Sequence, residues 1–148
     1  MDKQKRTIGI TCSTFDLLHA GHIIMLEECK KYCDYLICAL QIDPSVDRPE
    51  KNKPIQSLVE RYIQLESVKY VDKIIPYYDE EELETLLSSL DLDVRILGEE
   101  YKNKSFTGKE ICQKRGIKLV YNKRDHNFST TNLRTRIYKQ ESNKRFVQ

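Results

Sequence analysis

Hydrophobic residues recur along the chain in two alternating patterns. Short apolar runs, which are typical of buried strands, occupy residues 7–12, 34–42, 71–76, 93–97 and 117–121. Between them, apolar positions recur at helical spacing over residues 20–32, 57–68, 80–90 and 107–115, and a last helix begins near Thr130. Strands that alternate with helices in this way predict a parallel sheet with helices packed against it.

The pattern therefore predicts an α/β domain of the Rossmann-like kind, a doubly wound open sheet of about five parallel strands with helices on both faces. We expect one domain over residues 1–148, with flexible charged tails at 1–6 and about 141–148. Residues 43–54 hold three of the four prolines and predict a loop. Ligands of such sheets bind beyond the carboxyl ends of the strands, near the switch in strand order.

Composition excludes several classes of protein. The chain carries 25 Lys and Arg against 23 Asp and Glu, a net charge of +2, which argues against a protein that binds nucleic-acid polymers. No apolar run approaches the length needed to span a bilayer, and the N-terminus lacks the apolar segment of a signal peptide. We therefore expect a soluble, cytoplasmic protein without a membrane partner.

The five cysteines predict no metal site. None of them forms a CxxC pair, and no histidine lies near Cys29 and Cys33, which are spaced as on one face of a helix. Without a secretory signal, reduced and buried thiols are expected. Cys12 is the one candidate for a reactive thiol, because it ends the first strand directly before the segment that carries His19 and His22.

Two histidines follow the first strand within four residues. His19 and His22 stand three positions apart at the start of a helix, so both imidazoles should lie on one face of its first turn. Gly21 between them leaves room for an anion to approach the backbone, and a helix N-terminus adds free N–H groups and a partial positive charge. The motif predicts a polyphosphate site. Neither a GxGxxG motif nor a Walker A motif is present.

A second phosphate-binding segment is predicted near the C-terminus. Ser129, Thr130 and Thr131 precede the last helix, where hydroxyl side chains cap free backbone N–H groups. Arg124 stands five residues before Ser129. Taken alone, such a segment also fits a plain helix cap without a ligand.

Four blocks of the sequence resemble the cytidylyltransferases of the HxGH nucleotidyltransferase superfamily. They are residues 14–22 (TFDLLHAGH), 61–76 (RYIQLESVKYVDKIIP), 93–101 (DVRILGEEY) and 124–137 (RDHNFSTTNLRTRI). The resemblance covers about residues 7–138. It implies transfer of CMP from CTP to a phosphorylated small alcohol, with glycerol 3-phosphate as the best guess and Mg²⁺ bound with the nucleotide. It also implies a homodimer.

The resemblance implies a role for each matched residue. His19, His22, Arg124 and a loop lysine, Lys51 or Lys53, would stabilise charge during phosphoryl transfer, with Lys53 the one assigned to catalysis. The nucleotide would be bound by those histidines and Arg124 together with Thr14, Phe15, Gly98, Glu100, Ser129, Thr130 and Thr131. The acceptor would be bound by Asp16, Lys51, Lys53 and Arg61. The aromatic residue that relatives place in the acceptor pocket after the third strand is not evident; a stretch rich in tyrosine and acidic residues, 76–82, follows the strand instead.

Two other functions stay open at this stage. The same fold serves adenylyltransferases that act on sugar phosphates, FMN or pantetheine phosphate, and some of these share the Ser-Thr-Thr segment. Alternatively, the domain is a nucleotide-binding module without catalytic activity, although the intact histidine pair argues against this.

Overall fold

Five strands and five α-helices alternate along the computed structural model, which describes residues 5–147. Their bounds are β1 Ile8–Ser13, α1 Ala20–Cys29, β2 Tyr35–Gln41, α2 Leu58–Glu66, β3 Lys73–Tyr77, α3 Glu80–Ser89, β4 Val94–Gly98, α4 Lys109–Arg115, β5 Lys118–Asn122 and α5 Thr130–Val147. Each predicted element is present, with ends that shift by one to three residues in most cases.

The strands form one parallel sheet in the order β3-β2-β1-β4-β5. The chain first builds outward from β1 through β2 to β3, then returns to the other side of β1 with β4 and β5. The strand order therefore reverses between β1 and β4, and this switch point is where such sheets bind ligands. The predicted doubly wound fold is confirmed.

Two apolar clusters, one on each face of the sheet, hold the helices in place. Leu26 of α1 and Leu65 of α2 belong to the first cluster, and both are fully buried. Leu87 of α3 and Cys112 of α4 belong to the second. Burial of one such leucine side chain contributes about 2 kcal/mol, so this packing stabilises the sheet that carries the site.

Two helix boundaries differ from the sequence prediction for local reasons. The helix α1 ends at Cys29 rather than at residue 32, because the next residues tighten into a turn in which the Tyr32 N–H donates to the Cys29 carbonyl. The helix α4 begins at Lys109 rather than at residue 107, because Gly108 has a left-handed φ of 81°. A Cβ added at Gly108 would clash with Leu87 Cδ1, so any side chain there would have to displace Leu87.

In the described chain, the segment at about 141–148, predicted as a flexible tail, is part of α5 as far as residue 147. The helix α5 continues through this segment to Val147, since no glycine or proline interrupts the chain after Thr130. Of the predicted N-terminal tail, residues 1–4 lie outside the described residues. Within the described chain, no helix is both long and apolar enough to cross a membrane.

The cysteines are free thiols, as predicted. Cys29, Cys33, Cys38 and Cys112 are buried, and Cys12 is partly buried. Burial raises the pKa of the Cys29 thiol to about 12. These side chains act as small apolar residues of the core.

One arginine joins three segments at the carboxyl edge of the sheet. Arg61 of α2 is only 2% exposed. Its guanidinium donates five hydrogen bonds of 2.7–3.3 Å to backbone carbonyls, those of Thr14, Gln41, Ile42, Gln56 and Ser57. These carbonyls follow β1, end β2 and precede α2, so one side chain fixes the positions of three chain segments.

We expect Arg61→Met to lower the free energy of unfolding by about 3 kcal/mol or more, because it leaves buried carbonyls without donors. Denaturant unfolding measures this change. Arg115→Met is the matched control: Arg115 also donates to two carbonyls, those of Leu87 and Leu90, but it is exposed. Its loss should cost less than about 1 kcal/mol. Equal losses in the two variants would contradict the role given to Arg61.

Candidate active site

The loop between β1 and α1, residues 14–19, holds a strained backbone. Phe15 and Leu17 both have φ of 51°, in the left-handed region that side chains with a Cβ rarely adopt. Each such residue costs about 1–3 kcal/mol and persists only where its surroundings enforce it. Strain of this kind is concentrated at functional sites.

The residues before α2 hold this loop in place. The Asp16 carboxylate accepts the backbone N–H groups of Ile55 and Gln56, each at 2.9 Å. The Gln56 side chain in turn accepts the Leu17 N–H at 2.7 Å. Together with the Arg61 bond to the Thr14 carbonyl, these contacts offset the strain and fix the start of α1.

His19 and His22 form the first turn of α1, as the motif predicts. His19 is the N-cap residue, and its Nδ1 accepts the Gly21 N–H at 3.0 Å. His22 reaches back, and its Nδ1 accepts the His19 N–H at 3.1 Å. The two ring centroids lie 3.9 Å apart. Because each Nδ1 accepts a hydrogen bond, the proton of each neutral ring lies on Nε2, which is thereby a donor.

Both imidazoles are neutral at pH 7. Burial lowers the pKa of His22 to about 4, and the neighbouring His19 and Arg124 add to this effect. The pKa of His19 is also lowered, by burial first and then by Arg124 and His126. The pair therefore consists of uncharged N–H donors beside a permanently charged guanidinium.

The third histidine joins the same group. The Nδ1 of His126 accepts the Phe128 N–H at 3.1 Å, and its ring stacks on the Phe128 ring with centroids 5.2 Å apart. A Cβ added at Gly21 would lie only 2.8 Å from His19 Cε1 and 3.0 Å from His126 Cε1. Glycine at position 21 therefore lets two imidazoles meet above the helix N-terminus.

The helix α5 brings its N-terminus to the same place. The Ser129 hydroxyl accepts the Asn132 N–H at 2.9 Å and caps the helix. Thr130 Oγ1 lies 3.2 Å from His19 Nε2 and donates to the Asp16 carbonyl at 3.3 Å. Two helix N-termini thus flank one space, which favours a ligand with several negative charges.

A cavity of about 500 Å³ opens between these elements at the carboxyl edge of the sheet. It runs from α1 and α5, on one face, across the ends of the strands toward α3 and the loop before α4. The predicted residues that line it are Thr14, His19, His22, Lys51, Gly98, Glu100, Arg124, Ser129, Thr130 and Thr131.

Four predicted residues do not line the cavity. Phe15 is buried and its ring supports the His22 ring, with centroids 5.7 Å apart. Asp16 and Arg61 are buried, and both hydrogen-bond to backbone groups that hold the strained loop. Lys53 is exposed outside the cavity; of the two loop lysines, Lys51 reaches it.

Several lining residues were missed by the sequence analysis. Arg95, Tyr77 and Asn122 line the cavity and are all more than nine-tenths buried. The two polar atoms of the Asn122 side chain have no partner among the described residues. A signal was present for Arg95, a charge inside an apolar strand, and for Asn122, a polar residue at the end of one.

Comparison with known proteins identifies a family. Residues 10–136 match the family described as cytidylyltransferase-like. Glycerol-3-phosphate cytidylyltransferase of Bacillus subtilis (strain 168) is 34% identical over 128 residues, which cover 86% of this chain and 95% of that protein. The enzyme of the same name from Staphylococcus aureus is 33% identical over 87% of this chain and 93% of its own length.

Of two further matches, one is with a much longer protein and the other has a lower sequence identity. Bifunctional protein HldE of Paramagnetospirillum magneticum is 33% identical over 88% of this chain, which spans about a quarter of that protein, 27%. A lipopolysaccharide core biosynthesis protein from Thermoplasma volcanium has a similar structure, with a TM-score of 0.64 and 24% identity over 84% of this chain and 100% of its own. This last likeness supports the fold alone.

We expect the neutral state of His22 to make stability depend on pH. Its pKa is about 4 in the folded chain and about 6.5 in the unfolded chain. Between these values the unfolded chain binds more protons, so the free energy of unfolding falls as pH drops from about 6.5 to about 4. Above about pH 6.5 the imidazole is neutral in both states, so His22 causes no change in stability with pH there. Below about pH 4 the loss of stability is complete and amounts to about 3 kcal/mol.

Denaturant unfolding of the wild type and of His22→Gln over this range measures the effect. Glutamine keeps an acceptor for the His19 N–H but does not titrate, so the wild type should lose more stability than the variant as pH falls. The other titrating groups are common to both chains. Parallel losses would contradict a depressed pKa at His22.

Proposed function

The chain belongs to the cytidylyltransferase-like family, and from that premise we propose that it transfers CMP from CTP to a phosphorylated small alcohol, releasing pyrophosphate. Glycerol 3-phosphate is the proposed acceptor, since it is the acceptor that the names of two relatives state. The observation that carries the proposal is the pair of Nε2 donors of His19 and His22 beside the N-terminus of α5. On the resemblance alone, we also propose that the protein is a homodimer.

In the proposed reaction, an oxygen of the acceptor phosphate attacks the α-phosphorus of CTP in line. A new P–O bond forms while the bond from the α-phosphorus to the oxygen that bridges to the β-phosphorus breaks. Pyrophosphate leaves with that electron pair. The attacking oxygen is already anionic, so no base is required, and catalysis consists of positioning and charge stabilisation.

The cavity supplies that stabilisation from several directions. His19 and His22 would donate from Nε2 to oxygens of the transferred phosphoryl group, and Arg124 and Lys51 would balance its charge. To do so, His19 exchanges its contact with Thr130 for one with the substrate. Neutral imidazoles suit this role because they need neither gain nor lose a proton during the reaction.

The remaining lining residues would bind the rest of the nucleotide. Ser129, Thr130 and Thr131 at the start of α5 would bind the β- and γ-phosphates, which become pyrophosphate. Gly98 and Glu100 would bind the nucleoside at the end of β4. Asn122, which lies beside Gly98 at the end of β5, lines the same end of the cavity.

CTP would enter as its Mg²⁺ complex. Within residues 5–147, no three His, Cys, Asp or Glu side chains stand close enough together to hold a metal ion. The donor set of the cavity is instead cationic and hydroxyl-rich, which fits a triphosphate that brings its own Mg²⁺.

We expect loss of either imidazole donor to lower kcat by about 10²-fold or more, the effect of one oriented donor on a developing charge. His19→Asn and His22→Ala are the informative variants. Asparagine is a good N-cap, so His19→Asn keeps the start of α1 while it removes the Nε2 donor. Steady-state release of pyrophosphate measures kcat, and the melting temperature checks the fold. Near-normal turnover in a folded variant would contradict the proposal.

Nucleotide choice separates this function from adenylyl transfer, the second candidate. If CMP is the transferred group, Mg²⁺ with CTP should raise the melting temperature, because a ligand stabilises the folded state it binds, whereas ATP at the same concentration should have little effect. Stabilisation by ATP alone would favour the adenylyltransferase. Binding of CTP without pyrophosphate release, over a panel of alcohol phosphates, would indicate a module without catalytic activity.

A further inference from the structure

The cavity has a second part that the proposed nucleotide contacts do not use. We call it the Arg95 lobe, and it lies on the α3 and α4 side of the sheet. Its walls come from the ends of β1 and β3, from the side chain of Arg95 near the start of β4, and from the start of α3, the loop after β2 and the loop before α4. The residues that define it are Cys12, Arg48, Tyr77, Glu80, Arg95 and Phe106.

The guanidinium of Arg95 is buried with few partners. The residue is 5% exposed, and one N–H group donates to the Thr107 carbonyl at 2.6 Å. The Phe106 ring covers one face, with its centroid 5.2 Å from Arg95 Cζ, and the Cys12 thiol lies beside it. Among the side chains that the structure describes, no carboxylate lies within ion-pair distance of Arg95.

Arg61 shows what a buried arginine without a ligand requires. Both arginines are buried and neither pairs with a carboxylate in the described chain, but Arg61 donates to five carbonyls whereas Arg95 donates to one. A guanidinium has five N–H donors. No Arg95 nitrogen is among the buried unpaired atoms of the described chain, and Arg95 lines the cavity, so its remaining N–H groups are open to the cavity, where an oxyanion could accept them.

The other groups of the lobe leave its positive charge unbalanced. Glu80 is its one carboxylate, and it lies 3.7 Å from Arg48, so its charge is already paired. Burial raises the pKa of the Cys12 thiol to about 11 and moves the pKa of Tyr77 well above its ordinary value. Both groups are therefore protonated and neutral at pH 7, and Tyr77 offers a hydroxyl.

We propose that the Arg95 lobe binds the acceptor and that Arg95 binds an oxyanion which the acceptor carries, either its phosphate or a second acidic group. This deepens the proposed function and rests on it. A planar guanidinium matches a phosphate or carboxylate in a bidentate fashion, and the Tyr77 hydroxyl suits a polyol. The same charge disfavours acceptors with a cationic head group, such as phosphocholine.

Calorimetric titration of acceptors into the protein without nucleotide tests the proposal apart from turnover. The probes are glycerol 3-phosphate, 3-phosphoglycerate and phosphocholine, and the proteins are the wild type, Arg95→Met, Arg95→Lys and the control Arg115→Met. Arg115 does not line the cavity. CTP affinity and melting temperature are measured for each protein.

We expect Arg95→Met to weaken acceptor binding by about tenfold or more, Arg95→Lys to restore part of it, and Arg115→Met to leave it unchanged. CTP affinity should stay constant, and phosphocholine should bind weakest to the wild type. If Arg95→Met weakens the binding of both glycerol 3-phosphate and 3-phosphoglycerate, Arg95 contacts the phosphate. If it weakens the binding of 3-phosphoglycerate alone, Arg95 contacts the second acidic group. If Arg95→Met fails to fold, Tyr77→Phe removes one hydroxyl from the same lobe and should also weaken binding.

Unchanged acceptor affinity in a folded Arg95→Met would overturn the inference, as would unchanged affinity in Tyr77→Phe where Arg95→Met does not fold. Equal weakening of acceptor and CTP would overturn it as well, because it would indicate a general structural effect. This binding test and the test of the proposed function have independent outcomes. If the protein turned over no nucleotide, a loss of anion binding in Arg95→Met would still support an anion site at Arg95.

Discussion

The site depends on the hydrogen bonds of one buried guanidinium. Arg61 holds the carbonyl of Thr14 together with those at the end of β2 and before α2. Together with the hydrogen bonds of Asp16 and Gln56, this contact holds the two left-handed residues of the β1–α1 loop, Phe15 and Leu17, in a strained backbone conformation. The loop sets the first turn of α1, and the first turn sets both imidazoles. A buried residue that does not itself line the cavity therefore determines its geometry.

Hydrogen bonds to backbone N–H groups also decide what the histidines can do. Each of the three rings accepts one at Nδ1, from Gly21, His19 and Phe128 respectively. In the neutral ring this leaves the proton on Nε2, the nitrogen that can donate to a ligand. The positive charge at the site therefore comes from the arginine side chains and from the partial charges of the helix N-termini, and neither changes within the physiological pH range.

Local patterns were enough to predict the strands, the helices and the histidine pair, because each depends on residues a few positions apart. Contacts between distant segments could not be predicted in this way. His19 and Thr130 are in contact although they lie 111 positions apart, and neither local sequence indicates that the other segment packs against it. For the same reason, the resemblance could assign Asp16 and Arg61 to the acceptor but could not reveal their hydrogen bonds to distant backbone groups. Arg95 received no role from its sequence, because the apolar strand around it indicates only a structural element, yet its side chain lines the cavity.

The topology explains how one cavity can serve two substrates. At the switch point between β1 and β4, the chain leaves one face of the sheet for the other, so the space beyond these strands is reached from both faces. The histidines and α5 border it on one side, and the Arg95 lobe borders it on the other. In the proposed reaction, nucleotide and acceptor would enter from opposite faces and meet above the end of β1, as an in-line transfer requires nucleophile and leaving group on opposite sides of phosphorus. A fold that reverses its strand order at this point therefore suits a reaction between two phosphorylated substrates.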